Sequence, residues 1–330
     1  MESLSVKWRP KSWAEIVGQN IVVSILCRQL TTSTWKNAYL FCGPHGCGKT
    51  TAARLFARDI NNGEGFPIEI DAASNSGIDN VRNIISDAQQ GSVISDYKVF
   101  IFDEAHQLSK AAWDAMLKII EEPPTNVIFI FCTTNPAKIP DTILSRVQRF
   151  DFNKVPSKLI ADRLEFIVQE DLHIPYTREA LEAIAIAVKG HVRDAIQLLD
   201  KCVSVVDNLN TDNVSNIVGF VDYTELANIE NAVIVKDLNS CMKAYEKIKL
   251  HSSLNCNIYN SITEFAVNAA LYALTKDKAI VDIPDNVCYN LNNNFEIANL
   301  FVDRLINFAP YITEENADIF LKTIFMEMCK

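Results

Sequence analysis

Residues 43–50 read Gly-Pro-His-Gly-Cys-Gly-Lys-Thr, between an apolar run, Ala38–Cys42, and a helix-compatible stretch over 50–60. No other feature constrains the fold as strongly. A short buried strand has to deliver a glycine-rich turn to the N-terminus of a helix, a unit that belongs to parallel sheets covered by helices. The glycines let backbone N–H groups close on phosphate oxygens, and the helix dipole favours the anion. Lys49 is then placed for the β- and γ-phosphates, and the Thr50 hydroxyl for Mg²⁺. An accidental Lys-Thr after a glycine-rich turn would look similar, but the strand before it and the helix after it argue for a phosphate loop.

A second apolar run, Lys-Val-Phe-Ile-Phe at 98–102, ends in Asp103, Glu104, Ala105 and His106. An acid at the C-terminal tip of such a strand lies beside the phosphate loop. Asp103 is expected to hold Mg²⁺, directly or through water, and Glu104 to polarise the water that attacks the γ-phosphate. His106 is expected to be structural. Ser109 should cap the next helix, in which Trp113, Met116, Leu117 and Ile120 form one core stripe before Pro123 and Pro124 end it. A third apolar run at 127–132 delivers Thr133, Thr134 and Asn135. These could hold the attacking water and sense the γ-phosphate, or simply cap the strand end.

The chain has 330 residues, 48% hydrophobic and 22% charged, which suits a soluble globular protein of two or three domains. No apolar stretch is long enough to span a membrane, and no basic segment precedes an apolar one at the N-terminus as in a signal peptide. Nine cysteines without a Cys-x-x-Cys pair read as reduced, cytoplasmic usage. A net charge of −10 argues against a general nucleic-acid coat. The charge is uneven, however. Residues 1–60 carry eight Lys/Arg against three Asp/Glu, whereas 221–330 carry nine against fifteen. A nucleotide site or a local nucleic-acid face would each explain the basic front end.

Taken in order, these motifs resemble the AAA+ ATPases of the clamp-loader group, the bacterial DNA polymerase III gamma/tau family most closely and the small subunits of replication factor C less so. Lys7-Trp8-Arg9-Pro10 and Ile16-Val17-Gly18-Gln19 are similar to the adenine-side boxes. Ile68-Glu69-Ile70-Asp71-Ala72-Ala73-Ser74 is similar to the second core strand and its exit, and Leu-Lys-Ile-Ile-Glu-Glu-Pro-Pro at 117–124 to the gamma/tau pattern. Leu144-Ser145-Arg146 resembles the Ser-Arg-Cys motif, with Val147 in place of the cysteine. Gly190-His191-Val192-Arg193-Asp194-Ala195 resembles sensor 2. The likeness runs from about residue 4 to about residue 219.

That resemblance implies an α/β fold: an AAA+ P-loop core with a parallel sheet over 1–155, a helical lid over 156–219 and an all-helical collar over 220–330. Val6, Trp8, Arg9, Pro10 and Val17 would meet the adenine side. Gly43, Pro44, His45, Gly46, Cys47, Gly48, Lys49, Thr50 and Thr51 would surround the phosphates of ATP, with Arg193 on the γ-phosphate of its own subunit. Thr50 and Asp103 would take the Mg²⁺. Glu104, Lys49, Thr134, Asn135, Arg146 and Arg193 would form the catalytic set, with Arg146 as a finger reaching a neighbouring subunit's ATP. The family's four-Cys zinc module has no counterpart over 58–68, so no zinc is expected. The long tail of some members is not expected beyond Lys330 either.

The implied partners are a sliding clamp, other loader subunits in a mixed, pentameric ring, and primer–template DNA, with no membrane. Val93 and Ile94 would touch the clamp, and Arg82 and Lys110 the DNA. The implied function is an ATPase subunit that opens and holds the clamp and releases it on DNA. The alternatives are an AAA+ remodeller of DNA junctions or forks, and an assembly subunit that binds ATP without turnover.

Overall fold

The computed structural model describes residues 3–90, 95–218, 223–251, 255–292 and 294–330. In chain order the first elements are α1 (Leu4–Lys7), α2 (Asn20–Thr32), β1 (Ala38–Cys42), α3 (Lys49–Ile60), β2 (Ile68–Asp71), α4 (Ile78–Gln89), β3 (Lys98–Asp103), α5 (Lys110–Glu121), β4 (Val127–Thr133), α6 (Asp141–Leu144) and β5 (Gln148–Asp151). Helices follow: α7 (Ser157–Ile167), α8 (Arg178–Ala187), α9 (Val192–Val203), α10 (Thr211–Val218), α11 (Tyr223–Ile234), α12 (Leu238–His251), α13 (Asn255–Thr275), α14 (Asp285–Cys288), α15 (Phe295–Phe308) and α16 (Ala317–Met328).

The five strands form one parallel sheet in the order β2-β3-β4-β1-β5. Successive side chains of a strand point to opposite faces, and here both faces are covered. Leu40, Phe100, Phe102, Phe129 and Phe131 pack on the side of α4 and α5. Tyr39, Phe41, Val99, Ile101, Ile128 and Ile130 pack on the side of α2 and α3. This double burial is why the central strands β1, β3 and β4 read as apolar runs, whereas β2 and β5, at the edges, do not. Two strands run one residue further than the apolar pattern, so that Asp103 and Thr133 are the last residues of β3 and β4.

Ser109 caps α5 as expected, its Oγ accepting from the Ala112 N–H at 3.2 Å. Trp113, Met116 and Ile120 are buried with Ile119, while Leu117 is half-buried at the edge of the stripe.

The chain divides into two compact units, Met1–Arg163 with Lys189–Gln197, and Leu164–Val188 with Leu198–Lys330. The first contains the sheet. In the second, α11 to α16 bury Leu226, Tyr245, Tyr259, Phe265, Phe301 and Phe325 in one core. Ile297, Leu300, Phe301, Leu305 and Phe308 read as one amphipathic face. Leu300 is instead exposed, and Ala298 and Val302 join Phe301 and Leu305 in the core. Leu181, Ile184 and Ala185 are buried, with Val188 half-buried after α8. Ile196, Leu199, Val203 and Val206 read as a further stripe by their spacing, but Val206 lies beyond the end of α9, and Cys202 is the buried residue of that turn. Val93 and Ile94 lie outside the described residues.

Candidate nucleotide-binding site

The loop from β1 to α3 takes its shape from three glycines in the left-handed region: Gly43 at φ 147°, Gly46 at 68° and Gly48 at 103°. A Cβ at Gly43 would stand 2.2 Å from the Phe152 carbonyl oxygen, so no larger residue fits there. Lys49 is buried, and its Nζ donates to the carbonyl oxygens of Gly43 at 2.9 Å and Pro44 at 2.7 Å. The ammonium is thus held inside the loop by partners that phosphate oxygens can replace.

The tips of β3 and β4, neighbours in the sheet, meet the first turn of α3. The Thr50 hydroxyl donates to Asp103 Oδ2 at 3.0 Å, and Asp103 Oδ1 accepts from the Glu104 N–H at 3.0 Å. Glu104 sits at φ 48°, a conformation that disfavours a residue with a Cβ by roughly 1–2 kcal/mol. Its Oε2 accepts from the Thr134 hydroxyl at 3.0 Å and lies 3.3 Å from His106 Nδ1. His106 Nδ1 is also 3.2 Å from Thr133 Oγ1, which accepts from the Asn135 N–H at 3.1 Å. The carboxylate is therefore fixed in direction by groups from a second strand. Thr50 and Asp103 offer a hydroxyl and a carboxylate side by side, the hard oxygen donors that Mg²⁺ prefers.

A cavity opens beside this cluster, within the first unit. Trp8, Arg9, Pro10, Ile16 and Val17 line one end, and Gly46 to Thr51, Arg54 and Asp103 the other, with Val192, Arg193 and Ile196 across from them. The sequence-derived residues Trp8, Arg9, Pro10, Val17, Gly46, Cys47, Gly48, Lys49, Thr50, Thr51, Asp103 and Arg193 are thus brought together. An apolar and aromatic end beside a glycine cradle matches a base attached to a polyphosphate. Val6, Gly43, Pro44, His45, Glu104, Thr134 and Asn135 do not line the cavity. Val6 is half-exposed, while Glu104 and Thr134 stand next to Asp103.

Arg146 is not at this cavity. Its Nε donates to Glu121 Oε1 at 2.6 Å and its Nη1 to the Thr142 carbonyl at 2.6 Å. Arg82 pairs with Asp79 at 3.2 Å, and Lys110 is exposed at the start of α5.

One cavity residue carries no sequence signal. Arg163, on α7, lies 5.5 Å from the Trp8 ring, donates to the Trp8 carbonyl at 3.2 Å and sits 3.6 Å from the Glu15 carboxylate. Burial lowers its pKa, opposed by Glu15. Burial also works against ionised Glu15. Bonds from Ser12 and the Lys11 N–H, with the charge of Arg163, outweigh it and leave the Glu15 pKa below its usual value. Trp8 and Arg163 are 155 positions apart in sequence, and one arginine on an amphipathic helix marks nothing by itself. Burial raises the Cys47 thiol, with Lys49 pulling the other way, and pushes Cys132 well up. Neither is a reactive thiolate at neutral pH.

Solved structures share this architecture. The Holliday junction branch migration motor RuvB of Thermotoga maritima aligns with a TM-score of 0.55 over 72% of this chain and 85% of its own, at 21% identity. The fold and the site together are those of a P-loop nucleotide-binding protein.

Sequence comparison narrows the group. DNA polymerase III subunit tau of Bacillus subtilis is 36% identical over 263 residues, 73% of this chain and 46% of the relative. The Escherichia coli subunit tau is 34% identical over 253 residues, 70% of this chain and 39% of the relative. The family model for the DNA polymerase III delta subunit matches residues 66–156. The chain is thus a homologue of the DNA polymerase III tau/gamma subunits, and spans less than half the length of these two relatives.

Proposed function

We propose that this chain is the ATPase subunit of a sliding-clamp loader. The observation that carries the reading is the contact set Thr50–Asp103–Glu104–Thr134 beside the Lys49 loop, in a homologue of tau/gamma. Lys49 leaves the carbonyls of Gly43 and Pro44 for the β- and γ-phosphates. Thr50 and Asp103 hold Mg²⁺, which would supply charge neutralisation on the phosphates. Glu104, aimed by Thr134, orients the attacking water, and Asn135 serves the same tip. Arg193, whose N–H donates to the Gly46 carbonyl at 3.4 Å, guards the γ-phosphate of its own subunit. Phosphoryl transfer of this kind is mostly positioning and charge stabilisation.

Arg146 would complete a neighbour's site, so the active unit is a ring, mixed and pentameric. Its core would be 1–155, its lid 156–219 and its collar 220–330. ATP binding grips and opens the clamp. Primer–template DNA, held through its backbone by Arg82 and Lys110 among others, triggers hydrolysis and release in the cytoplasm.

The test is the steady-state ATPase rate of the full chain, assembled with loader subunits, with and without clamp and primed DNA, alongside the native mass. Turnover should rise on adding both. Arg146→Ala should keep ATP binding and lose about 10³–10⁵ in rate. Full-speed turnover by the isolated monomer, or by the Arg146 variant, overturns the reading. Stimulation by branched DNA without a clamp would point to junction remodelling instead.

A further inference from the structure

Two histidines and an aspartate meet where the phosphate loop faces the start of α9. His45 is the third residue of the loop motif. His191 and Asp194 flank Val192 and Arg193. His45 Nε2 lies 2.7 Å from His191 Nδ1 and 3.2 Å from Asp194 Oδ2, and His191 Nδ1 lies 3.5 Å from that oxygen. Among the described residues, no other group of three His, Cys, Asp or Glu donors converges this closely. The three belong to one compact unit and are held there by backbone. The Arg193 N–H donates to the Gly46 carbonyl at 3.4 Å, and a Cβ on Gly46 would touch Arg193 and His191 at 3.4 and 3.6 Å.

A contact of 2.7 Å between two ring nitrogens requires one of them to be an unprotonated acceptor, so at least one imidazole already presents a lone pair to this point. A tetrahedral ion with bonds of about 2.0–2.1 Å needs donors roughly 3.3 Å apart. The observed triangle has edges of 2.7, 3.2 and 3.5 Å, so shifts of a few tenths of an ångström would make it such a face. His45 is the exposed member, which leaves the fourth position open to water.

We propose that His45, His191 and Asp194 form a binding site for a borderline transition-metal ion, Zn²⁺ being the best match, that clips the phosphate loop to the first turn of α9. It is separate from the Thr50–Asp103 pair and differs in kind from a four-cysteine module. Imidazole donors select Zn²⁺, Co²⁺ or Ni²⁺ over Mg²⁺, so the Mg²⁺ that accompanies a nucleotide does not compete. Lys49 and Lys154 lie near enough to His191 to oppose added positive charge, which weakens the site. Because Arg193 lies between two of the ligands, loading the site restrains the side chain proposed to read the γ-phosphate. The metal site itself does not depend on that role.

The probe is Co²⁺ alone, titrated into the full nucleotide-free chain with excess Mg²⁺ present. One equivalent should bind with the visible d–d spectrum of a tetrahedral ion and no near-ultraviolet thiolate band. Asp194→Asn and His191→Ala should each weaken binding at least tenfold, with circular dichroism checking that they fold. X-ray absorption on the Zn²⁺-loaded parent should give two imidazoles and only nitrogen or oxygen in the shell, which needs no variant. The loaded parent should also melt a few degrees higher. Sulfur in the shell, unchanged binding in folded variants, or no bound metal at one hundred micromolar each overturns the site.

Discussion

Lys49 and Glu230 are both buried ionisable side chains, one in each unit, and their circumstances are opposite. The Lys49 ammonium has two carbonyl partners at 2.7 and 2.9 Å, in a loop beside a cavity. Glu230, on α11, is 1% exposed, and neither carboxylate oxygen has a hydrogen-bond partner. Burial alone pushes its pKa up to about 8. A buried charge is tolerated when its partners are built in; without them the group gives up its charge instead. The sheet unit has built partners at its working end. The helical unit has an apolar core with one acid that stays protonated at neutral pH.

Four substitutions can break or sharpen that contrast, from the largest effect to the smallest. Glu104→Gln should keep ATP binding and cut turnover by about 10²–10⁴, measured under saturating ATP. Turnover within a few-fold of the parent would remove Glu104 from the chemistry. Lys49→Met should lose about 10²–10³ in turnover and weaken nucleotide binding too, read by steady-state kinetics and calorimetry. If only stability changed, the lysine would be a structural plug.

Glu230→Gln tests the other unit. The unfolded carboxyl ionises near 4.5, whereas the folded one stays protonated to about 8. The folded state therefore binds the extra proton between these values. The stability linked to this group is complete below pH 4.5, falls as pH rises towards 8 and is level above it. The loss is on the order of 5 kcal/mol. Urea unfolding at pH 5 and 8.5 should show the variant gaining on the parent as pH rises. A gap that ignores pH would show that Glu230 is not protonated in the fold. Smallest, Arg163→Met should weaken ATP binding about tenfold with turnover at saturation little changed, since it supports Trp8 rather than the phosphates. Loss of turnover without loss of affinity would contradict that placement.

The two units also differ in how much could be read from the chain. β1 falls on the apolar run at 38–42, because strands covered on both faces show no alternation and end where polar residues begin. The cluster around Asp103 was legible because each member sits at the end of such a run. Thr133 and Asp103 still belong to their strands, since ladder bonds do not stop where apolarity does. Leu300 shows the weakness of periodicity: it fits the helical stripe of α15 yet faces outward, because the packing partners choose which side of a wide apolar face is buried. Glu230 reads as a solvated helix residue, and Arg163 as any surface arginine.

The strands β1, β3 and β4, the phosphate loop and the acids that follow it were determined by local sequence, because each depends on residues adjacent along the chain. Only the tertiary structure decided that Arg163 supports Trp8, that His45 meets His191 and Asp194, and that Glu230 is left without a partner. Those outcomes depend on distances between segments far apart in sequence, and they arise only when the whole chain has packed.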